Sequence, residues 1–274
     1  MTEFQSALDH VHATLSELRE QGVELRASAS ALARLENTPT VAKQAPEPIP
    51  SSSPAVEARP LSPAPDGSKA VRLAALRGPV LACTLCPHLV KSRTQVVFGV
   101  GNPEAELMFV GEAPGEDEDL QGEPFVGKAG QLLTKIIAAM GYSRDDVYIG
   151  NVLKCRPDMP PGESGNRKPK PAEMATCLPY LRQQIDIIQP RALVALGATA
   201  MEGLLGAVEP MAKLRGRWHD FHGIPLMATY HPAYLLRNQS LTEKRKVWED
   251  MLLVLERLAK PITEKQRGFF LGKG

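Results

Sequence analysis

Apolar residues follow three regimes along the chain. Phe4, Leu8, Val11, Leu15 and Leu18 recur at spacings of four and three. That is the period of one helix face, so residues 3–20 are predicted to form an amphipathic helix with an apolar seam, inside a helical segment 1–36. Residues 37–68 carry eight prolines among Ser and Ala and almost nothing large to bury. Such a composition cannot offset its ordering entropy and predicts a disordered linker. From residue 69 short β-rich apolar runs alternate with stretches of helical period.

Four such units are predicted: strands over 107–110, 147–149, 192–196 and 225–229, and helices over 127–140, 171–188, 198–205 and 243–259. Gly141, Gly197 and Gly206 act as stops. Strand–helix alternation implies α/β architecture: a three-layer α/β/α sandwich with a central four-stranded parallel sheet over residues 69–260, preceded by the helix and linker and followed by a tail, 261–274. In such sheets ligands bind beyond the carboxyl ends of the strands, so chemistry is sought in the loops that follow them.

Composition narrows the class. With 274 residues and 43% hydrophobic side chains the chain can fill a core, yet no apolar run approaches the roughly 20 residues of a membrane span. The acidic amino terminus lacks the basic and apolar regions of a signal peptide, which predicts a cytoplasmic protein with no membrane partner. The net charge of +1 is uneven: residues 1–68 hold five Lys/Arg against nine Asp/Glu, leaving 27 against 22 in the rest. A mildly basic body is compatible with a phosphate-bearing partner without requiring one.

Each loop after a strand is unusual. Gly111-Glu112-Ala113-Pro114-Gly115 is a rigid turn leading into Glu116-Asp117-Glu118-Asp119, and Gly122-Glu123-Pro124-Phe125-Val126-Gly127 sets one aromatic between hinges. An acidic surface and a lid on the core are the plain alternatives to a functional role for these two loops. Asn151 ends the second strand with a donor and an acceptor on one side chain, suited to a nucleobase edge or, equally, to capping a turn. Tyr230-His231-Pro232-Ala233-Tyr234-Leu235-Leu236-Arg237 joins a proline-fixed histidine to an apolar wedge and a cation, the equipment for entering a base stack while holding phosphate. His10, His12, His88, His219 and His222 lack such a setting. The Gly99-Val100-Gly101 pair precedes the first strand, which argues against a dinucleotide loop.

All four cysteines are accounted for by one site: Cys83 and Cys86 form a C-x-x-C pair, followed by Cys155 and Cys177. In a reducing compartment four thiolates suit zinc or a 4Fe-4S cluster, and spacing alone favours zinc.

The C-x-x-C pair, VVFGVGNPEAELMFVGEAPGEDED, GEPFVGKAGQLL, DVYIGNVLKCRP, Cys177, LRGRWHDFHG and YHPAYLLRN together resemble the type-4 uracil-DNA glycosylases, the iron–sulfur branch of the uracil glycosylase superfamily. The resemblance spans about residues 76–257. It implies one 4Fe-4S cluster on Cys83, Cys86, Cys155 and Cys177, in place of zinc. It also implies a uracil pocket made by Glu112, Ala113 and Pro114, with Phe125 stacking on the base, Asn151 reading its edge and His231 near its O2. Two departures stand out: the segment between Cys155 and Cys177 is long, and Ala113 sits where the best-known branch of the superfamily carries a catalytic Asp.

The implied activity is hydrolytic excision of uracil from DNA in base excision repair. His231 would stabilise the departing uracil anion, and Glu112 or Glu116 would orient water. Leu235 and Leu236 would fill the vacated stack, and Arg215, Arg217 and Arg237 would hold phosphates. The expected partner is uracil-containing DNA, met by a monomer; residues 3–20 are expected to dock on a replication or repair protein. Residues 266–271 suggest a clamp-binding peptide, with a frayed terminus as the simpler expectation. One rival is a superfamily member that binds or covalently traps uracil; it would carry a basic, His-containing insertion after the histidine motif, and QSLTEKRKVWED has no His. The other rival is a zinc-stabilised nucleic-acid-binding module without catalysis.

Overall fold

The structure is a computed structural model that describes residues 67–160 and 162–271. The predicted N-terminal helix and all but the last two residues of the linker lie outside the described residues. In chain order the elements are α1 (Lys69–Leu81), α2 (Pro87–Ser92), β1 (Val100–Gly101), β2 (Leu107–Gly111), α3 (Glu116–Gln121), α4 (Lys128–Ala139), β3 (Tyr148–Asn151) and α5 (Pro171–Ile188). There follow β4 (Ala192–Leu196), α6 (Ala198–Leu205), α7 (Met211–Leu214), β5 (Trp218–Phe221), β6 (Ile224–Thr229), α8 (Pro232–Arg237), α9 (Leu241–Arg257) and α10 (Glu264–Arg267).

Strands β2 and β4 are apolar at every position before the terminal glycine of β2 and buried throughout. Such runs suit a parallel sheet covered on both faces. The sheet order is β1-β3-β2-β4-β6-β5, and its four central strands are parallel. That centre is the predicted four-stranded sheet. The antiparallel edges β1 and β5 were not predicted, because β1 has only two residues and β5 reads Trp-His-Asp-Phe, half-polar and only partly buried. His222 and Gly223, with φ of 52° and 85°, form the two-residue turn that folds β5 onto β6.

Alternation along the strands divides the core into two layers. Met108, Val110, Leu193, Ala195, Leu226 and Ala228 face α1, α5 and α6, whereas Leu107, Phe109, Val194 and Met227 face α4 and α9. The four helices predicted beyond residue 69 agree with α4, α5, α6 and α9 to within two residues at each end. α9 begins at Leu241 because the Ser240 side chain accepts the Glu243 amide and caps it. No described helix is long and apolar enough to cross a membrane.

The tail departs from its expectation of fraying. Trp248 Nε1 donates to the Gln266 carbonyl (2.6 Å), Gln266 Nε2 donates to the Ala139 carbonyl (2.9 Å), and the Phe269 ring lies 5.1 Å from Trp248. Residues 264–269 are therefore tied to α4 and α9.

Candidate active site

The ends of β2, β3 and β6 converge on a cleft of about 340 Å³, within the usual range for small-molecule sites. Gly111 and Asn151 are ladder partners at the ends of β2 and β3. A Cβ on Gly111 would lie 2.4 Å from Asn151 Oδ1 and 2.5 Å from Phe125 Cζ, so only glycine lets the amide and the ring meet there. Asn151 is 2% exposed, and its Oδ1 has no hydrogen-bond partner among the described residues. An orphaned buried polar atom costs about 1–3 kcal/mol, a cost offset when a ligand supplies the partner.

Phe125 forms a second wall. Its φ of 55° is rare for a bulky residue, and strain of this kind concentrates at binding sites. Arg144 holds it by donating to the carbonyls of Phe125 (3.1 Å) and Pro124 (2.9 Å). Gly130 in α4 makes room for it, since a Cβ there would fall 1.9 Å from the Phe125 carbonyl.

His231 is the N-cap of α8, with its ring 5.6 Å from that of Phe125 and tilted by 32°. Its Nδ1 accepts the Ala233 amide at 3.1 Å, which leaves the ring proton on Nε2. Burial, aided by the Arg237 charge, pushes its pKa down to about 4, so the imidazole is neutral near pH 7.

Glu118 stitches the first two loops together. Its carboxylate accepts from the amides of Gly115 (3.1 Å), Val126 (3.0 Å) and Gly127 (3.0 Å). Sequence reasoning passed over it as one of four acids; its place three residues after a cap glycine was the available signal. Glu112, Ala113 and Pro114 line the cleft. Burial pushes the Glu112 carboxyl up, against a hydrogen bond from Thr199 and the charge of Lys168.

Other expected residues lie elsewhere. Glu116 is exposed in the first turn of α3, 3.8 Å from Arg156, and does not line the cleft. Arg237 lines the mouth and Leu236 is exposed beside it, but Leu235 is buried against α4 and α9, so Leu236 alone is available as a wedge. Arg215 is taken up by Asp250, donating from Nη2 at 2.7 Å and Nε at 3.1 Å, while Asp250 also accepts the Thr229 hydroxyl at 2.6 Å. That buried pair ties the 215 loop to the strand end before His231, and Arg215 is not among the residues lining the cleft. Arg217 is exposed outside the cleft lining. The cleft also recruits Asn166 and Arg167 from the long loop between Cys155 and Cys177, which no local pattern marks.

The four cysteines gather beside the α1–α5 layer. Burial, reinforced by neighbouring Cys155 and Cys83, pushes the Cys86 thiol up; burial raises Cys155 and takes Cys177 to about 12. Arg93 Nη1 donates to Cys155 Sγ at 2.9 Å, and the Lys154 amide donates to Cys177 Sγ at 3.2 Å. Ligand atoms of His88, Asp158 and Glu173 lie within 4.8 Å of one another, but the Arg167 guanidinium already occupies the two carboxylates. Burial raises the Glu173 carboxyl, yet hydrogen bonds from Arg167, the Lys170 amide and His88 prevail and hold it at about 2.

Comparison with known proteins agrees with this geometry. The sequence model of the uracil DNA glycosylase superfamily matches residues 98–252. The type-4 uracil-DNA glycosylase of Thermotoga maritima is 48% identical over 175 residues, covering 63% of this chain and 87% of that protein. The type-4 uracil-DNA glycosylase of Archaeoglobus fulgidus is 42% identical over 173 residues, covering 60% of this chain and 83% of its own length. A DNA polymerase of Bacillus phage SP01 is 29% identical over 140 residues, 51% of this chain and 14% of the polymerase. With the family match covering more than half of its length, the chain belongs to the uracil DNA glycosylase superfamily, in the type-4 branch.

Proposed function

We propose that the protein is a DNA-repair glycosylase that hydrolyses the N-glycosidic bond of uracil in DNA and leaves an abasic site. The observation that carries this is the orphaned Asn151 amide at the floor of a cleft walled by Phe125 and a neutral His231. A uracil edge offers both an acceptor and an N–H to that amide, and the aromatic face supports the extruded ring.

Breaking the bond leaves negative charge on uracil and positive charge on the sugar. The Nε2–H of His231 donates to the developing uracil anion; an imidazole that stays neutral keeps this donor without giving its proton away. Glu112 is the one carboxylate of the expected pair that reaches the cleft, and it takes the role of orienting water or facing the sugar cation. Leu236 enters the gap left by the flipped base, with Arg237 on the adjacent phosphate.

Cys83, Cys86, Cys155 and Cys177 hold one 4Fe-4S cluster in this reading. The grouping of all four sulfurs at one place, with Arg93 and the Lys154 amide donating to two of them, supports a single tetrathiolate site, and the likeness to type-4 glycosylases favours the cluster over zinc. When bound, the cluster supplies structural cross-linking of α2, α5 and the loop after β3.

In this reading the enzyme acts as a monomer, on uracil-containing DNA in the cytoplasm. Residues 3–20 serve as a tethered docking segment for a replication or repair protein. Support comes from their apolar seam and the proline-rich linker that follows. The direct test is incubation with a labelled oligonucleotide holding one uracil, followed by alkali. Strand scission at uracil, absent from the cytosine control and from His231→Ala, is expected; intact strands from cluster-loaded protein would defeat the proposal.

A further inference from the structure

One wall of the cleft comes from no strand. Asn166 and Arg167 reach it from the loop between Cys155 and Cys177, and the two side chains are in opposite situations. Arg167 spends all five of its N–H groups within the protein. Nε donates to the Asp158 carbonyl (2.6 Å), and Nη1 to the Lys168 carbonyl (3.1 Å) and Glu173 Oε2 (2.9 Å). Nη2 donates to Glu173 Oε1 (2.7 Å) and to Asp158 Oδ1. A guanidinium with no donor to spare is a clasp and cannot serve as a phosphate ligand. The clasp is anchored in turn: Glu173 is buried in α5, accepts the Lys170 amide (2.7 Å), and lies 2.7 Å from Nε2 of His88, two residues after Cys86.

Asn166, the residue before the clasp, is exposed and makes no hydrogen bond to another described residue. Its Nδ2 stands 3.3 Å from where a Cβ on Gly115 would be, so the amide lies over the glycine that closes the first loop. Depth sorts the cleft. Phe125 and Asn151 are 6% and 2% exposed at its floor, and Asn166 and Arg237 are exposed at its mouth. A base seated on the floor puts its own sugar and phosphates at the mouth.

We propose that Asn166 is a further substrate-contacting residue, donating from its side-chain amide to the sugar–phosphate of the extruded nucleotide, and that the Arg167 clasp is the positioning device that holds it there. The inference rests on the cleft being the uracil site. Amide donors commonly position nucleic-acid backbone without reading sequence. The clasp also gives the cluster-bearing elements α2 and α5 a mechanical link to the cleft.

The test is affinity of the cluster-loaded full chain for an oligonucleotide carrying 2′-fluoro-2′-deoxyuridine, whose fluorine slows bond cleavage. Asn166→Ala is expected to bind about tenfold more weakly, the scale of one hydrogen bond to a charged group, in every sequence context. Its log-affinity against log-salt slope should match wild type, because no charge is lost. Asn166→Asp should bind more weakly than Asn166→Ala. Arg167→Lys keeps the charge but loses the fork; its loss should resemble that of Asn166→Ala and not add to it in the double variant. Asn166→Ala binding within twofold of wild type overturns the contact, and full additivity of the two changes overturns the clasp. If His231→Ala also excises uracil normally, the cleft assignment itself has failed, which separates the two failures.

Discussion

The floor and the mouth of the cleft are built by different means. At the floor, Gly111, Asn151 and His231 stand at or just after the carboxyl ends of β2, β3 and β6, so the sheet register sets their positions. At the mouth, Asn166 depends on Arg167, Asp158, Glu173 and His88, which come from three separate stretches of chain. The floor can therefore be rigid enough to discriminate a base, while the mouth needs only to seat a backbone common to all sequences.

Breaking the floor should cost most. His231→Ala removes the imidazole donor placed for the uracil anion, and single-turnover excision should fall by about 10² to 10³, the usual penalty for losing such a donor. Gly111→Ala forces a methyl into Asn151 and Phe125; a displacement of about 1 Å there should reduce excision roughly 10²-fold while the melting temperature falls modestly. Leu235 and Leu236 sharpen the contrast. Leu235→Ala, in the core, should destabilise by about 2–5 kcal/mol in denaturant unfolding, whereas Leu236→Ala should spare stability and weaken base extrusion in a 2-aminopurine fluorescence assay. At the mouth, Arg237→Gln should flatten the log-affinity against log-salt slope by about one contact, roughly 0.9, in binding titrations.

The smallest effect concerns pH. The folded pKa of His231, about 4, lies below the ordinary value of 6.5, so its neutral form persists in the native enzyme as pH falls from 7 to 5. Excision should show no histidine inflection near 6.5 in that window. Stability should behave differently: the unfolded chain takes up this proton first, so the contribution present above about 6.5 is lost as pH drops towards 4.

How much of this was legible follows from the same contrast. Apolar runs fix β2 and β4 because a doubly covered strand has no polar face, and the residues after such strands were marked as chemistry-bearing for that reason. The edge strand β5 was not legible, since one polar face and four residues look like loop. Leu235 and Leu236 read as one wedge in sequence, and only the helical turn of α8 shows that one faces inward. Arg215 read as a phosphate ligand, because nothing local reveals Asp250 thirty-five residues away. The Arg167 clasp was invisible for the same cause: its partners are tertiary, and the loop that carries it has no periodicity.

The central claim is that the Asn151 amide reads the base, and Asn151→Asp tests it most directly. Single-turnover excision by the cluster-loaded variant would be measured on matched oligonucleotides holding one uracil or one cytosine. A carboxylate cannot donate to the uracil oxygen and can accept from the cytosine amino group, so uracil excision should collapse and cytosine excision rise relative to wild type. Undiminished uracil excision by the folded variant would contradict the account.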